Sequence, residues 1–296
     1  HELAPGLPMT TNVIVMEHTR NIHYLAWVPE LDIVSNDHYM MSADPAAHRE
    51  LAFSADLTRG VAGGRPWLLM EQSTSAVNWQ PRNIAKRPGE MLRASMQHVA
   101  RGADGILYFQ WRASQAGAEK FHSALVPHAG TDSRVWREVV AQGAALEAIG
   151  EVAGSHSDNH VAILFDWNAR WATELDSHPS VDVRYLDRPM AFHRAFTDRG
   201  VGVDVVHPDT DLTPYSVIVV PTLYLCGDHV ATALEAAAAR GATVVVTYFS
   251  GIVDENDHIR LGGYPGAFRD LLGIRTEEFL PLAPHQHVEL DDSTTA

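Results

Sequence analysis

The 296-residue chain is longer than one typical domain, and its apolar content (46% hydrophobic residues, seven tryptophans) is sufficient for a large core, so we expect two domains. The net charge of −15 argues against binding nucleic acid, whose phosphates require a positive protein surface, and no apolar run is long enough to predict a membrane-spanning helix. The single cysteine, Cys226, cannot form an internal disulfide, which fits a reducing, cytoplasmic location.

Residues 10–150 repeat one pattern, in which a short apolar run is followed by a turn and an amphipathic or alanine-rich stretch. The predicted strands are Thr11–Met16, Asp32–Ser35, Trp67–Met70 and Gly105–Trp111. The predicted helices are Pro45–Arg59, with Pro45 in the first turn and Asp44 as the cap, Pro88–Arg101, with Pro88 in the first turn, and Ser133–Gly150. Strands that alternate with helices indicate a parallel sheet covered by helices. Four such units make half of an eight-stranded barrel, and an open four-stranded sheet is the alternative.

A small, polar stretch at residues 150–159 separates this region from a second alternating series. Its predicted strands are Val161–Phe165, Val201–Val206, Val217–Pro221 and Thr243–Phe249, and its predicted helices are Pro189–Arg199, His229–Arg240 and Pro265–Leu272. This series is typical of a doubly wound α/β domain. We therefore divide the chain into a barrel half (1–154), an α/β domain (155–283) and a linker or the start of a further domain (284–296).

Glu71 directly follows the apolar run Trp67–Met70, so its carboxylate is expected at the carboxyl end of a parallel strand, where barrel enzymes build their active sites. A partly desolvated carboxylate there, aligned by donors such as Gln72 and Asn78, can attack an anomeric carbon. Alternatively, Glu71 caps the next helix or pairs with Arg82.

The segment after the next predicted strand carries Phe109, Trp111, Glu119 and His122. Aromatic rings suit the apolar face of a sugar, whereas Glu119 and His122, three residues apart, can face one way on a helical turn and bind hydroxyl groups. The two aromatics are equally compatible with ordinary core packing. A Glu-x-x-His pair also occurs in di-metal bundles, but no second copy is evident, so no metal site is predicted.

Asp37 and Tyr39 follow the second predicted strand, where Asp37 is a candidate for holding a sugar hydroxyl and Tyr39 for hydrogen bonding to the nucleophile. A helix cap and a rim aromatic are the alternatives. Cys226 lies between an apolar run and an alanine-rich helix, as some nucleophiles do, but no suitable base follows it, and a cysteine without catalytic function is favoured. His285 and His287 are interpreted as part of an irregular tail.

Four motifs taken together resemble the β-galactosidases of glycoside hydrolase family 42. They are Met70-Glu-Gln-Ser73, Asn78-Trp-Gln-Pro81, Phe109-Gln-Trp-Arg112 and Gly117-Ala-Glu-Lys-Phe-His122. The resemblance covers the whole chain and implies the C-terminal half of a (β/α)8 TIM barrel followed by a flavodoxin-like α/β trimerisation domain. It implies hydrolysis of terminal non-reducing β-D-galactosides with retention, with Glu71 as the nucleophile. The residues it places around the galactose are Trp79, Phe109, Glu119 and His122.

The resemblance also implies an acid/base glutamate that follows an asparagine at the end of an earlier strand. No segment of this sequence matches that pattern, so we expect the acid/base residue before His1 and no useful turnover from these 296 residues alone. No cofactor is expected, and the expected partners are a β-galactoside and two further copies of the chain in a homotrimer. The alternative function is a non-catalytic α/β oligomerisation module that retains part of a barrel.

Overall fold

The computed structural model describes residues 4–16 and 19–289, and its strands form two separate parallel sheets of four strands each. The first sheet contains β1 (Asn12–Val13), β2 (Ser35–Asp37), β3 (Trp67–Glu71) and β4 (Ala103–Ile106) in chain order. Because all pairs are parallel, the four carboxyl ends lie at one edge. This order is that of consecutive βα units in a barrel.

The first strand is shorter than the predicted Thr11–Met16. The backbone N–H groups of Ile14 and Val15 donate to side chains, the Tyr24 hydroxyl (3.0 Å) and Asn36 Oδ1 (3.4 Å), instead of a neighbouring strand. The second strand starts later than predicted, because Asp32 and Ile33 are tied to the backbone of Met9 ahead of the sheet.

Three long helices follow the strands of this sheet, namely α2 (Ala47–Val61), α3 (Glu90–Val99) and α4 (Arg134–Ala148), after a short α1 (Tyr24–Trp27) that the sequence did not predict. The predicted positions of Pro45 and Pro88 are wrong, because both precede the first helical turn. Asp44 does not cap α2; its Oδ1 accepts a hydrogen bond from Ala46 N (2.8 Å) in the turn before the helix.

The second sheet has the order β6-β5-β7-β8, in which the first strand lies inside the sheet, as in a doubly wound fold. Its strands are β5 (Val161–Leu164), β6 (Asp204–Val206), β7 (Val217–Val220) and β8 (Thr243–Val246). Its helices are α5 (Trp167–Thr173), α6 (Asp187–Thr197), α7 (Asp228–Ala239) and α8 (Arg269–Leu272). Helix α5, absent from the prediction, is capped by Asp166, whose carboxylate accepts from the N–H groups of Asn168 and Ala169.

The two sheets share one hydrophobic core. Helix α2 lies directly on β6, where a Cβ at Gly60 would come within 1.7 Å of the Val205 carbonyl oxygen, so only glycine fits there. Phe53 of α2 packs edge-on against Phe165, with ring centroids 6.4 Å apart. Over residues 4–16 and 19–289, no helix is both long and apolar enough to cross a bilayer. The predicted linker is irregular over residues 284–289, and residues 290–296 lie outside the described residues.

Candidate active site

A cavity of about 350 Å³ opens at the carboxyl edge of the first sheet. Its lining includes seven residues that the sequence singled out for catalysis or substrate binding, Asp37, Tyr39, Glu71, Trp79, Phe109, Glu119 and His122, but not the exposed Trp111. These residues lie at the ends of β2 and β3 or in the loops after β2, β3 and β4, and the parallel strands bring them together because their carboxyl ends share one edge.

Glu71 is the last residue of β3, and both of its carboxylate oxygens accept hydrogen bonds. Tyr39 donates its hydroxyl to Oε2 at 2.7 Å, and Asn12 donates its side-chain amide to Oε1 at 3.2 Å. The carboxylate is therefore held in one orientation by a donor from β1 and a donor from the segment after β2. Neither donor is the alternative partner Arg82.

The two donors expected to align Glu71, Gln72 and Asn78, are not the ones that do so. Gln72 is buried and donates to the Ser95 hydroxyl at 2.8 Å, while Asn78 donates to the Ala118 carbonyl at 2.8 Å. Side chains alternate between the faces of a strand, so the residue next to Glu71 points away from the cavity. That part of the prediction is wrong.

Asp37 lies beside Glu71, since the two residues pair in the register of β2 and β3. Asn12 bridges them, because the same amide nitrogen that donates to Glu71 also donates to Asp37 Oδ2 at 3.0 Å. Burial raises the pKa of Asp37 to about 7; the hydrogen bond from Asn12 opposes this rise and the charge of Glu71 adds to it. Burial and the hydrogen bond to Glu71 also raise the pKa of Tyr39, so its hydroxyl stays a donor.

Aromatic rings form one wall of the cavity. The Tyr39 ring meets Trp79 and His122 edge-on at centroid distances of 5.7 and 5.8 Å, and Phe109 meets His122 at 4.9 Å. His122 is buried, and its Nδ1 lies 2.8 Å from the Ser123 carbonyl oxygen, which can only accept. The neutral ring therefore carries its proton on Nδ1 and leaves Nε2 as an acceptor.

The loops after β3 and β4 are fastened to each other. Thr74 donates to the Ala124 carbonyl at 2.9 Å, and the Ser123 hydroxyl accepts from the Ser75 backbone at 2.9 Å. The buried Lys86 ammonium donates to the Ser73 carbonyl, and burial lowers the pKa of Lys86 to about 8. These bonds fix Trp79, on the first loop, relative to Glu119 and His122, on the second.

Two features of the site were missed by sequence reasoning. Asn12 follows two threonines at the start of a predicted strand, and only the register of the strands shows that it reaches two carboxylates. His38 and Glu50 also line the cavity, with His38 Nε2 3.8 Å from Glu50 Oε2.

Two other candidate chemistries receive no support. Among residues 4–16 and 19–289, no cluster of three or more histidine, cysteine or acidic side chains is arranged to hold a metal ion. Cys226 is buried, and this burial raises the pKa of its thiol to about 12, although the charge of Arg260 opposes the rise. A thiol that remains protonated is a poor nucleophile, so the interpretation of Cys226 as a residue without catalytic function is favoured.

Comparisons with known proteins agree with the geometry of this site. The glycoside hydrolase family 42 model, described as beta-galactosidase, matches residues 1–149, and a model described as beta-galactosidase trimerisation domain matches residues 159–296. A beta-galactosidase from Arthrobacter sp is 59% identical over 295 residues, which cover 100% of this chain and 42% of that protein.

Solved structures give the same result. The beta-galactosidase from Bacillus circulans sp. alkalophilus superposes with a TM-score of 0.92 at 38% identity, covering 96% of this chain and 42% of that one. A catalytic mutant of a family 42 beta-galactosidase from G. stearothermophilus, with a glutamate replaced by alanine, superposes with a TM-score of 0.91 at 36% identity, covering 96% of this chain and 43% of that one.

The chain thus spans about two fifths of the length of the relatives it matches. Together with the two parallel sheets, the structural similarity confirms the predicted fold class, a partial TIM barrel followed by an α/β domain.

Proposed function

Because this chain belongs to glycoside hydrolase family 42, whose model is described as beta-galactosidase, we propose that Glu71 is the nucleophile of a retaining β-galactosidase. The observation that carries the proposal is the carboxylate of Glu71 at the carboxyl end of β3, held by Tyr39 and Asn12 inside a cavity with an aromatic wall.

The proposed reaction is a double displacement on terminal non-reducing β-D-galactosides. Glu71 forms a bond to the anomeric carbon as the bond to the leaving oxygen breaks and an acid supplies a proton to that oxygen. Water, deprotonated by the same acid/base group, then displaces Glu71 and restores the β configuration. Phe109 and Trp79 supply ring surface for the sugar, and His122, Glu119 and Asp37 supply partners for its hydroxyl groups.

We place the acid/base residue outside these 296 residues. A retaining pair must flank the scissile bond from two sides, with the carboxyl groups about 5–5.5 Å apart. Asp37 cannot fill that role, because it extends from the strand beside Glu71 and shares a donor with it, so both face the sugar from the same side. The isolated chain is therefore expected to show no turnover of a nitrophenyl β-galactoside, and measurable hydrolysis would overturn this assignment.

The test of the nucleophile uses the protein at the full length of its relatives, with Glu71→Ala. We expect kcat to fall on the order of 10³-fold or more, since the residue forms the covalent intermediate. Azide can occupy the space left by the carboxylate, attack the anomeric carbon once and yield the α-galactosyl azide. Glu147→Ala, an exposed position on α4, serves as the control and should keep full activity. A β-galactosyl azide, or an active Glu71→Ala variant, would contradict the role.

The second domain supports a further proposal, that the protein assembles as a homotrimer. Its match to a beta-galactosidase trimerisation domain favours this state. Sedimentation of the 296-residue chain should give three times the monomer mass of 32.5 kDa. A trimer whose full-length form has no glycosidase activity would favour the alternative, a non-catalytic oligomerisation module. The cytoplasmic location stays a prediction.

A further inference from the structure

The position of Asn12 determines how two carboxylates are held, yet the strand that carries it is very short. Asn12 donates to Asp37 Oδ2 at 3.0 Å and to Glu71 Oε1 at 3.2 Å, and β1 consists only of Asn12 and Val13. A ladder of two residues is shorter than that of a typical strand, and side-chain bonds of Thr10 and Ser35 support the chain just before Asn12. Other contacts must therefore hold the chain just after β1.

The Tyr24 hydroxyl makes one of these contacts. It accepts a hydrogen bond from the Ile14 backbone N–H at 3.0 Å, two residues after Asn12. The Tyr24 side chain is only 1% exposed, so the hydroxyl is aimed at Ile14 by packing. Ile14 and Met16 line the same cavity as Glu71, which makes this segment part of the cavity wall.

The ring of Tyr24 is held by the α/β half of the chain. Trp167, the first residue of α5, meets the Tyr24 ring edge-on at 5.7 Å and is fully buried. On the same helix, the Trp171 indole N–H donates to the Arg20 carbonyl, and the His23 ring lies 6.0 Å from Trp171 and 6.1 Å from Trp167. Helix α5 thus holds the segment that contains Tyr24 by ring packing and one hydrogen bond.

We infer that Tyr24 and Trp167 are positioning residues through which the α/β half of the chain aligns Asn12, and through Asn12 the carboxylate of Glu71. The inference rests on the proposed nucleophilic role of Glu71. The Tyr24 hydroxyl makes no hydrogen bond to the carboxylate of Asp37 or Glu71, and its bond to Ile14 connects it to them through the backbone after β1. Its loss should impair the attack on the bound sugar more than the binding of the sugar, because the orientation of the nucleophile matters most in the transition state.

Tyr185 provides a matched control for Tyr24. It is also a fully buried tyrosine, and its hydroxyl also accepts from a backbone N–H, that of Asp166, at 2.8 Å. This bond lies within the α/β half at Asp166, the cap of α5, and it shares no atom with the bond between Tyr24 and Ile14, so it tests whether any lost buried bond near α5 affects the reaction. Tyr24→Phe and Tyr185→Phe each remove one such bond, so their effects on stability should be similar, while only Tyr24→Phe should affect the reaction.

The experiment measures kcat, KM, Tm and pH profiles of the full-length protein with Tyr24→Phe, Asn12→Ala, both together, and Tyr185→Phe. We expect Tyr24→Phe to lower kcat roughly tenfold with KM changed less than about twofold. The kcat of the double variant should be no lower than that of Asn12→Ala alone, because both substitutions disrupt the same connection from Tyr24 through Asn12 to Glu71. In Asn12→Ala, loss of the hydrogen bond that lowers the pKa of Asp37 should raise that pKa further, which the pH profile reports.

Three results would overturn the inference: parental kcat in Tyr24→Phe, additive losses in the double variant, or an equal loss of kcat in Tyr185→Phe at matched Tm. Glu71→Ala, tested in parallel with azide, separates these failures from failure of the proposed function. If Glu71→Ala is inactive and rescued by azide while Tyr24→Phe behaves like the parent, only the positioning role is wrong. If Glu71→Ala remains active, the nucleophile assignment is wrong.

Discussion

Asp37 and Glu71 are neighbouring carboxyl groups with different surroundings. Glu71 has a donor on each oxygen, whereas Asp37 accepts from Asn12 on Oδ2 only, and its buried Oδ1 lacks a hydrogen-bond partner within the described residues. This difference explains why burial dominates at Asp37 and raises its pKa to about 7. A carboxyl that holds its proton near neutral pH can donate as well as accept, which suits contact with a sugar hydroxyl.

Asp37 should therefore make folding less favourable as pH rises. Between about pH 4 and pH 7 the carboxyl is ionised in the unfolded chain but still protonated in the folded one, so the free energy of unfolding falls through this window. Asp37→Asn has no such loss, and its stability relative to the parent should be greater at pH 7.5 than at pH 4.5, as measured by urea denaturation.

Asp211→Asn is the control for this measurement. Hydrogen bonds from Thr213 lower the pKa of Asp211, so its substitution should give no gain that grows between pH 4.5 and 7.5. A gain for Asp37→Asn that is the same at both pH values would contradict the account of its environment.

At single residues, the sequence was informative about which side chains meet and less informative about how they bond. Seven of the predicted side chains line one cavity, because parallel strands end at one edge and the motifs follow those strands. The donors to Glu71 could not be predicted in the same way. Asn12 is 59 positions away from Glu71, and its contact depends on the register between strands.

At the scale of elements, the loop after β3 depends on one buried cation. Lys86 is 3% exposed and donates to the Ser73 carbonyl, and its pKa is lowered to about 8 because the charged form is desolvated. Between about pH 8 and 10.5 the unfolded chain keeps this proton while the folded chain has lost it, so the penalty for burying the charge is relieved as pH rises.

The free energy of unfolding of Lys86→Met, relative to that of the parent, should consequently be highest below pH 8. We expect the difference in unfolding free energy between variant and parent to shift in favour of the parent by roughly 3 kcal/mol from pH 8 to 10.5. Lys120, the other lysine of the chain and an exposed one, controls for the loss of one positive charge when it is changed to methionine. A difference that is independent of pH would show that Lys86 is not charged and desolvated in the loop.

The type and order of most elements were predictable, whereas several of their ends were not. The alternation of apolar runs and amphipathic stretches predicted both parallel sheets. The missed helices α1 and α5 have four and seven residues, too few to show a helical period. Strand β1 ends early because side chains of Tyr24 and Asn36 replace its ladder partners, which no local pattern indicates.

At the scale of the whole molecule, a buried ionic network joins the two halves. Asp56 of α2 is 1% exposed and accepts from Arg59 at 2.6 Å, from His193 of α6 at 2.7 Å and from Arg101. Arg59 in turn donates to Asp204 of β6 at 2.9 Å. The sequence did not predict this coupling, because Arg59 and its partner Asp204 are separated by 145 positions.

The two halves should therefore unfold as one unit. Asp56→Asn removes one of the two charge partners of the buried Arg59 and the partner of Arg101, and we expect it to cost about 3–5 kcal/mol while unfolding remains a single transition by circular dichroism and tryptophan fluorescence. Asp198→Asn removes an exposed ion pair with Arg49 that also links the halves, and it should cost less than about 1 kcal/mol. Two separated transitions in the parent chain would contradict a shared core.

The central claim is that Glu71 forms a bond to the sugar, and covalent trapping tests it most directly. In a 2-deoxy-2-fluoro-β-galactoside the fluorine slows both steps of the reaction. A good leaving group keeps the first step faster than hydrolysis of the intermediate, so the galactosyl-protein accumulates. After digestion of the labelled full-length protein, mass spectrometry should find the added fluorogalactosyl group on the peptide that contains Glu71, and on that side chain. A label on Asp37, Glu119 or any other carboxylate would contradict the account.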